Sequence, residues 1–256
     1  MNADGADIIE LTIGEPDVAT PDVLIQSACT SLHNGRTLYS NPRGEQNLLE
    51  ALALRYSKSL DRPVSTQQIL TFPGTQTALY VAMNGLVEAG DEVLVGDPYY
   101  ATYEGVVAST GATFVPVSLT ADNDFRLNAN DLAKRITNKT RVILLNSPHN
   151  PTGALLTKDG IAAIGALAIK HDLWIVSDEV YEEMVYSDSI FASPLADSAL
   201  ADRVVVVNSI SKSHAAPGFR SGWLVASEEF CSRLLPLSQT MLFGNQPFIA
   251  DMTALA

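Results

Sequence analysis

Four consecutive valines, Val204 to Val207, follow Arg203 and precede Asn208. A β-branched run with no polar break cannot show one face to water and so reads as a strand buried on both faces. Strands of that kind belong to parallel sheets with helices packed on either side. Other strand-like runs begin near residues 68, 92, 113, 141, 173 and 219, and helical stretches separate most of them. The alternation predicts an α/β fold: one seven-stranded, mostly parallel, doubly wound sheet with helices on both faces. Pro116 inside Thr113–Ser118 removes a ladder donor, which places that strand at an edge. Asp7 to Thr12 reads as a short extended segment. Pro21 to Leu32 reads as a helix with Thr20 as its N-cap, and Phe219 to Ala226 as the last strand. From Glu228 onward the chain reads as helical, with an interruption at Phe243 to Pro247.

In sheets of this type ligands bind beyond the carboxyl ends of the strands. Gly74, Tyr100, Asn150, Asp178 and Ser209 all fall at strand ends, so five separate segments converge on one crevice. Pro73-Gly74-Thr75-Gln76 is a glycine turn between a strand and a helix, the geometry that aims backbone N–H groups at an anion. Asp178 ends a buried run, and a carboxylate there needs a partner. It can hold a proton on a heteroaromatic nitrogen. Lys212 lies just past the valine strand, where loss of water would lower its pKa and make it a nucleophile toward carbonyls. With the hydroxyl of Ser209 and the charge of Arg220 beside it, the lysine suits a phosphate-bearing aldehyde held as a Schiff base. Tyr99 reads as a core aromatic and Glu179 as a structural acid. His149 either lines the crevice or is a hydrogen-bonded structural histidine.

Composition narrows the remaining choices. A net charge of −13 on 256 residues argues against nucleic acid and anionic membranes as partners. No run is long and apolar enough to cross a bilayer, and the acidic start of the chain does not resemble a signal peptide. Cys29 and Cys231 give neither a disulfide framework nor metal spacing, so no metal is expected. Together these point to the cytoplasm.

Ser209-Ile210-Ser211-Lys212, continued through Arg220-Ser221-Gly222, resembles the S-x-S-K-x7-R-x-G signature of the class I/II, fold-type I aminotransferases that use pyridoxal 5′-phosphate (PLP). Gly14-Glu15-Pro16-Asp17, Asn150-Pro151-Thr152-Gly153 and Asp178-Glu179-Val180-Tyr181 fit the same family in the same order. The resemblance implies that Lys212 carries PLP and acts as general base and acid. Ser209, Arg220, Gly74, Thr75 and Gln76 would hold its phosphate, and Tyr100 would cover its ring. Asn150 and Tyr181 would meet the 3-hydroxyl oxygen, and Asp178 the pyridine nitrogen. Gly14, with Asn150, would contact the substrate carboxylate. Tyr39 would reach the partner's PLP phosphate across a homodimer.

The implied reaction moves an amino group between an L-amino acid and a 2-oxo acid. Motif strings such as Leu145-Asn146-Ser147-Pro148-His149-Asn150-Pro151 suggest an arginine-like donor. Alternatives are an aspartate or aromatic aminotransferase, a PLP-dependent lyase, a non-catalytic PLP-binding domain or an inactive fragment. By the same resemblance residues 1–20 form an N-terminal arm and residues 21–256 the large PLP-binding domain. The small C-terminal domain, with the arginine that pairs with the substrate carboxylate, is expected to be absent from this chain.

Overall fold

The sheet runs in the order β1-β7-β6-β5-β4-β2-β3. Its strands are β1 (Ile69–Phe72), β2 (Glu92–Asp97), β3 (Thr113–Ser118), β4 (Thr140–Asn146), β5 (Trp174–Asp178), β6 (Val204–Ser209) and β7 (Gly222–Val225). This computed structural model describes residues 13–186 and 188–256, so the segment from Asp7 to Thr12 lies outside the described residues. Around the sheet lie α1 (Asp22–His33), α2 (Gln46–Ser59), α3 (Thr75–Leu86), α4 (Thr102–Ala108), α5 (Ala129–Ala133) and α6 (Lys158–His171). The short α7 (Ile210–Ser213), then α8 (Glu228–Leu242) and α9 (Pro247–Leu255), complete the set.

The valine run does what its composition demands. Val204 and Val206 point into one core with Leu48 and Leu52 of α2, Ile164 of α6 and Ile249 of α9. Val205 and Val207 point into the other, with Leu79 of α3, Val106 of α4 and Phe230 of α8. All four valines are fully buried. Each contributes roughly 1.5–3 kcal/mol of apolar burial, which explains why no polar residue interrupts them. Pro116 sits on β3, an edge strand paired only with β2, opposite Val95.

β7 runs antiparallel to both β1 and β6, while the other pairings are parallel. This reversal positions the site. Because β7 returns against β6, its first residues lie at the same edge of the sheet as the last residues of β6. Lys212, just after β6, and Arg220, just before β7, are thereby brought to one end. β1 runs parallel to β6, so Gly74 and Thr75 arrive there too.

Two boundaries differ from those the sequence suggests. The last strand begins at Gly222, because Pro217–Phe219 form a 3-10 turn and Arg220 takes a left-handed backbone with φ 52°. Pro21, not Thr20, occupies the N-cap of α1. The Thr20 hydroxyl instead donates to the Ala215 carbonyl in the loop after Lys212, a long-range bond that competes with local capping.

Candidate active site

The anion-binding end is built by two glycines and a bare helix terminus. Gly74 has φ 87°, and a Cβ placed on it would lie 2.4 Å from an Arg220 guanidinium nitrogen. A Cβ on Gly222 would lie 2.5 Å from the Gly74 carbonyl carbon. The β1 turn can therefore press against the Arg220 loop only because both side chains are missing. α3 starts at Thr75 with no side-chain cap, so its first N–H groups stay available. Thr75 Oγ1 is buried and has no hydrogen-bond partner. Arg220 donates to the Pro217 carbonyl at 2.8 Å and to the Pro73 carbonyl at 3.4 Å, which holds its fork beside that helix start. Ser209 caps α7, its hydroxyl accepting from the Ser211 N–H at 3.3 Å. The Gln76 side chain accepts from the Thr102 hydroxyl at 2.9 Å, and its backbone N–H lies in the uncapped first turn of α3.

Lys212 points across the crevice, and its ammonium donates to the Gly14 carbonyl oxygen. The lysine is half-buried rather than sealed in apolar surroundings.

The opposite wall is a hydrogen-bonded set around Asp178, which is 5% exposed. The buried Tyr103 hydroxyl donates to Asp178 Oδ2 at 2.9 Å, and the Val180 N–H donates to Oδ1 at 3.2 Å. Burial pushes the carboxyl up to about 6, and those two donors limit the rise. The Tyr103 phenol is held well above its usual range by burial and by the neighbouring Asp178 charge. Asn146 donates to the Asp178 carbonyl at 3.2 Å and accepts from the Asn150 N–H at 2.7 Å. The Asn150 amide in turn donates to the Tyr181 hydroxyl at 3.5 Å. The Tyr100 ring stands edge-on to Tyr103, with centroids 5.5 Å apart.

Gly14, Thr75, Gln76, Tyr100, Asn150, Asp178, Tyr181, Ser209, Lys212 and Arg220 line one cavity of about 410 Å³, and Gly74 abuts it through Arg220. Tyr39 does not. It is 86% exposed, and its ring packs edge-on against Phe243 at 5.0 Å. Tyr99 packs against Phe114 at 4.6 Å and donates to Glu104, away from the cavity. Glu179 faces elsewhere. It is 1% exposed and accepts from the Ser193 hydroxyl at 2.7 Å, and its second carboxyl oxygen has no partner. Burial, then the nearby Glu182, push it to about 8.

Tyr103 and Asn146 are site residues that sequence reasoning missed. A signal existed for each: Tyr103 is one helical turn after Tyr100, and Asn146 ends β4 as Asp178 ends β5. Among the described residues no group of acids, cysteines and histidines could hold a metal ion.

The fold is that of PLP-dependent transferases of fold type I. The family profile for aminotransferase class I and II matches residues 6–255, and the chain belongs to that family. It is 41% identical over 252 residues to an arginine–pyruvate transaminase of Pseudomonas aeruginosa, covering 98% of this chain and 64% of the relative. It is 33% identical to an aspartate aminotransferase of Bacillus subtilis, covering 100% of this chain and 65% of the relative. The Thermus thermophilus aspartate aminotransferase solved with maleate superimposes with a TM-score of 0.94 at 30% identity, over 99% of this chain and 65% of that one. An aromatic aminotransferase from Pyrococcus horikoshii gives 0.94 at 33% identity, over 98% and 67%. The chain thus spans about two thirds of the length of the proteins it matches.

PLP is the cofactor of this family. The residues present fit it. The unpartnered Thr75 hydroxyl beside an uncapped helix start and a clamped arginine offers donors for a phosphate, in a cradle that a Cβ on Gly74 would fill.

Proposed function

We propose that this chain carries the cofactor site of a PLP-dependent aminotransferase that moves an amino group between an L-amino acid and a 2-oxo acid. The observation that supports this most strongly is the meeting of a half-buried lysine, a buried carboxylate and an anion cradle in one crevice of about 410 Å³. Bound PLP supplies an aldehyde for amino groups and a pyridine ring that withdraws electrons from the substrate Cα.

The chain's own residues divide the remaining work. Arg220, Ser209 and the first N–H groups of α3 bind the phosphate, with the Thr75 hydroxyl as a further donor. Asp178 holds a proton at the pyridine nitrogen, and Tyr103 keeps that carboxylate oriented and ionised. Asn150 and Tyr181 bind the ring's 3-hydroxyl oxygen, and Tyr100 lies against the ring face. Lys212 holds the cofactor and moves a proton at the substrate Cα as base and then acid. Gly14, whose carbonyl already engages Lys212, sits where a substrate carboxylate would approach. Asn150 can contact the same carboxylate.

The working unit in this reading is a cytoplasmic homodimer in which Tyr39, exposed on its own subunit, serves the partner's phosphate site. Residues 21–256 form the large domain in this reading; the arm expected at residues 1–20 lies for the most part outside the described residues. The donor is arginine-like, in line with the 41% identity to the arginine–pyruvate transaminase. An aspartate or aromatic donor is the second reading, carried by the aspartate and aromatic aminotransferases among the relatives and solved neighbours. No helix among the described residues is long and apolar enough to cross a membrane.

The test is to load the protein with PLP, record its visible absorbance, and add L-arginine, L-aspartate or L-phenylalanine in turn. Conversion of the bound cofactor to its amine form with arginine first supports the reading. A band that no amino acid alters would leave a binding domain without transfer activity.

A further inference from the structure

Asn208 stands between the four valines of β6 and Ser209, and the cofactor reading gives it no role. It is 2% exposed, so its amide must find partners inside the protein. It finds two. Its Oδ1 accepts from the Ser209 N–H at 2.7 Å, and its Nδ2 donates to Glu182 Oε1 at 2.8 Å. Those partners fix which way the amide points, because a backbone N–H only donates and a carboxylate oxygen only accepts. Glu182 is itself anchored. Its Oε1 also accepts from Arg55 Nη2 on α2, and the same nitrogen donates to Glu183 Oε1 at 2.6 Å.

The two ends of that amide serve different parts of the crevice. Ser209 ends β6, caps α7 and leads to Lys212. Glu182 follows Tyr181 directly, in the 3-10 turn Glu182–Met184 after β5. β5 and β6 are paired, but their register ends at Asp178 opposite Val207, and the Glu179 N–H adds one further bond to the Val207 carbonyl at 3.0 Å. Past that point the Asn208 side chain joins the two segments, where α7 packs against the Glu182 turn.

We propose that Asn208 is a positioning residue: bonded to Glu182, it sets Ser209 and Lys212 at the end of β6 against Tyr181 after β5, and so holds the phosphate and lysine side of the cofactor crevice in register with its ring edge. The inference rests on the reading of that crevice as a PLP site. Without the link, β6 and the Glu182 turn keep their own backbone bonds, but the amide bridge between them is gone. Cofactor binding would then have to order the lysine loop against Tyr181, which costs affinity and leaves the cofactor in a less defined orientation.

Asn208→Ala, Glu182→Ala, Glu182→Gln and the Asn208→Ala/Glu182→Ala double variant test this. Three quantities are read for each: PLP dissociation constant, visible circular dichroism of the bound cofactor, and melting temperature of the PLP-free protein. Glu182 does not line the crevice, so its effect on the cofactor must pass through its partners. Each alanine variant should weaken PLP about tenfold, the size of one or two lost hydrogen bonds, and reduce the dichroism to about half. The double variant should bind no worse than the more impaired single one, because the two residues act as one link. Glu182→Gln, whose amide oxygen can still accept from Asn208, should stay within about threefold of wild type. Should Asn208→Ala not fold, Glu182→Ala decides, since Arg55 keeps Glu183 as a partner. Wild-type affinity and dichroism in folded alanine variants, whatever their melting temperatures, would overturn the proposal, and so would losses that add in the double variant. A wild-type protein that fails to bind PLP would overturn the crevice reading, and the inference with it.

Discussion

Tyr103→Phe removes one oxygen atom and isolates the most consequential hydrogen bond in the crevice. The phenol donates to Asp178 Oδ2 at 2.9 Å, and both groups are buried. A hydrogen bond to a charged group is worth about 1.5–3 kcal/mol, and the phenylalanine variant leaves the carboxylate with only the Val180 N–H at 3.2 Å. The loss falls on the ionised form alone, so it should depend on pH. Burial already raises Asp178 from the usual 3.8 to about 6 in the folded state. A carboxyl raised in this way favours folding at low pH, and that contribution is lost as pH rises from about 4 to about 6. Without Tyr103 the folded acid holds its proton more tightly still, and the loss continues to higher pH. Urea unfolding of PLP-free wild type and Tyr103→Phe at pH 5 and pH 8 measures the effect. The variant should cost roughly 1.5–3 kcal/mol more at pH 8 than at pH 5. Glu179 titrates in both proteins and cancels in the difference. An equal cost at the two pH values would mean that the phenol does not support the Asp178 charge.

Three further outcomes follow from the same geometry. Glu179 is raised from 4.5 to about 8 with one carboxyl oxygen unpartnered, so wild type should lose stability as pH climbs through that interval. Glu179→Gln should be more stable than wild type by about 2–4 kcal/mol at pH 9 but not at pH 5, and parallel denaturation curves at the two pH values would contradict this. Gly222→Ala drives a Cβ to 2.5 Å from the Gly74 carbonyl carbon, whereas a Cβ on Gly105 would meet nothing within 4 Å. The first substitution should cost about 1–3 kcal/mol and weaken PLP binding, the second neither, as read by thermal unfolding and cofactor titration. Tyr39→Phe should weaken PLP by about one to two decades, and wild-type affinity should fall on dilution. Equal dissociation constants for both proteins at two protein concentrations would rule out a site shared between subunits.

The features legible in the sequence were those carried by local composition. The valines of β6, the proline of β3 and the glycine turn after β1 each restrict the backbone where they stand, and the structure follows them closely. Strand ends were legible for the same reason, and residues chosen there met in one cavity. What stayed hidden depended on contacts between distant segments. Tyr103 and Asp178 are 75 residues apart, and Thr20 and Ala215 are 195 apart. No local pattern announces either bond. The reversed direction of β7 was equally silent, since an apolar run four residues long reads the same in either direction. Arg220 adopts a left-handed backbone because its side chain is clamped by Pro217 and Pro73 carbonyls, a tertiary demand on a residue that does not favour it locally.

The central claim is that Lys212 is the residue that holds the cofactor. Borohydride reduction of the PLP-loaded protein, followed by digestion and mass mapping of the peptides, tests it directly. The expected result is the cofactor's mass on the peptide containing Lys212, none on Lys58, Lys134, Lys139, Lys158 or Lys170, and none anywhere in a folded Lys212→Ala variant. A modified peptide containing any other lysine, or undiminished labelling of Lys212→Ala, would contradict it.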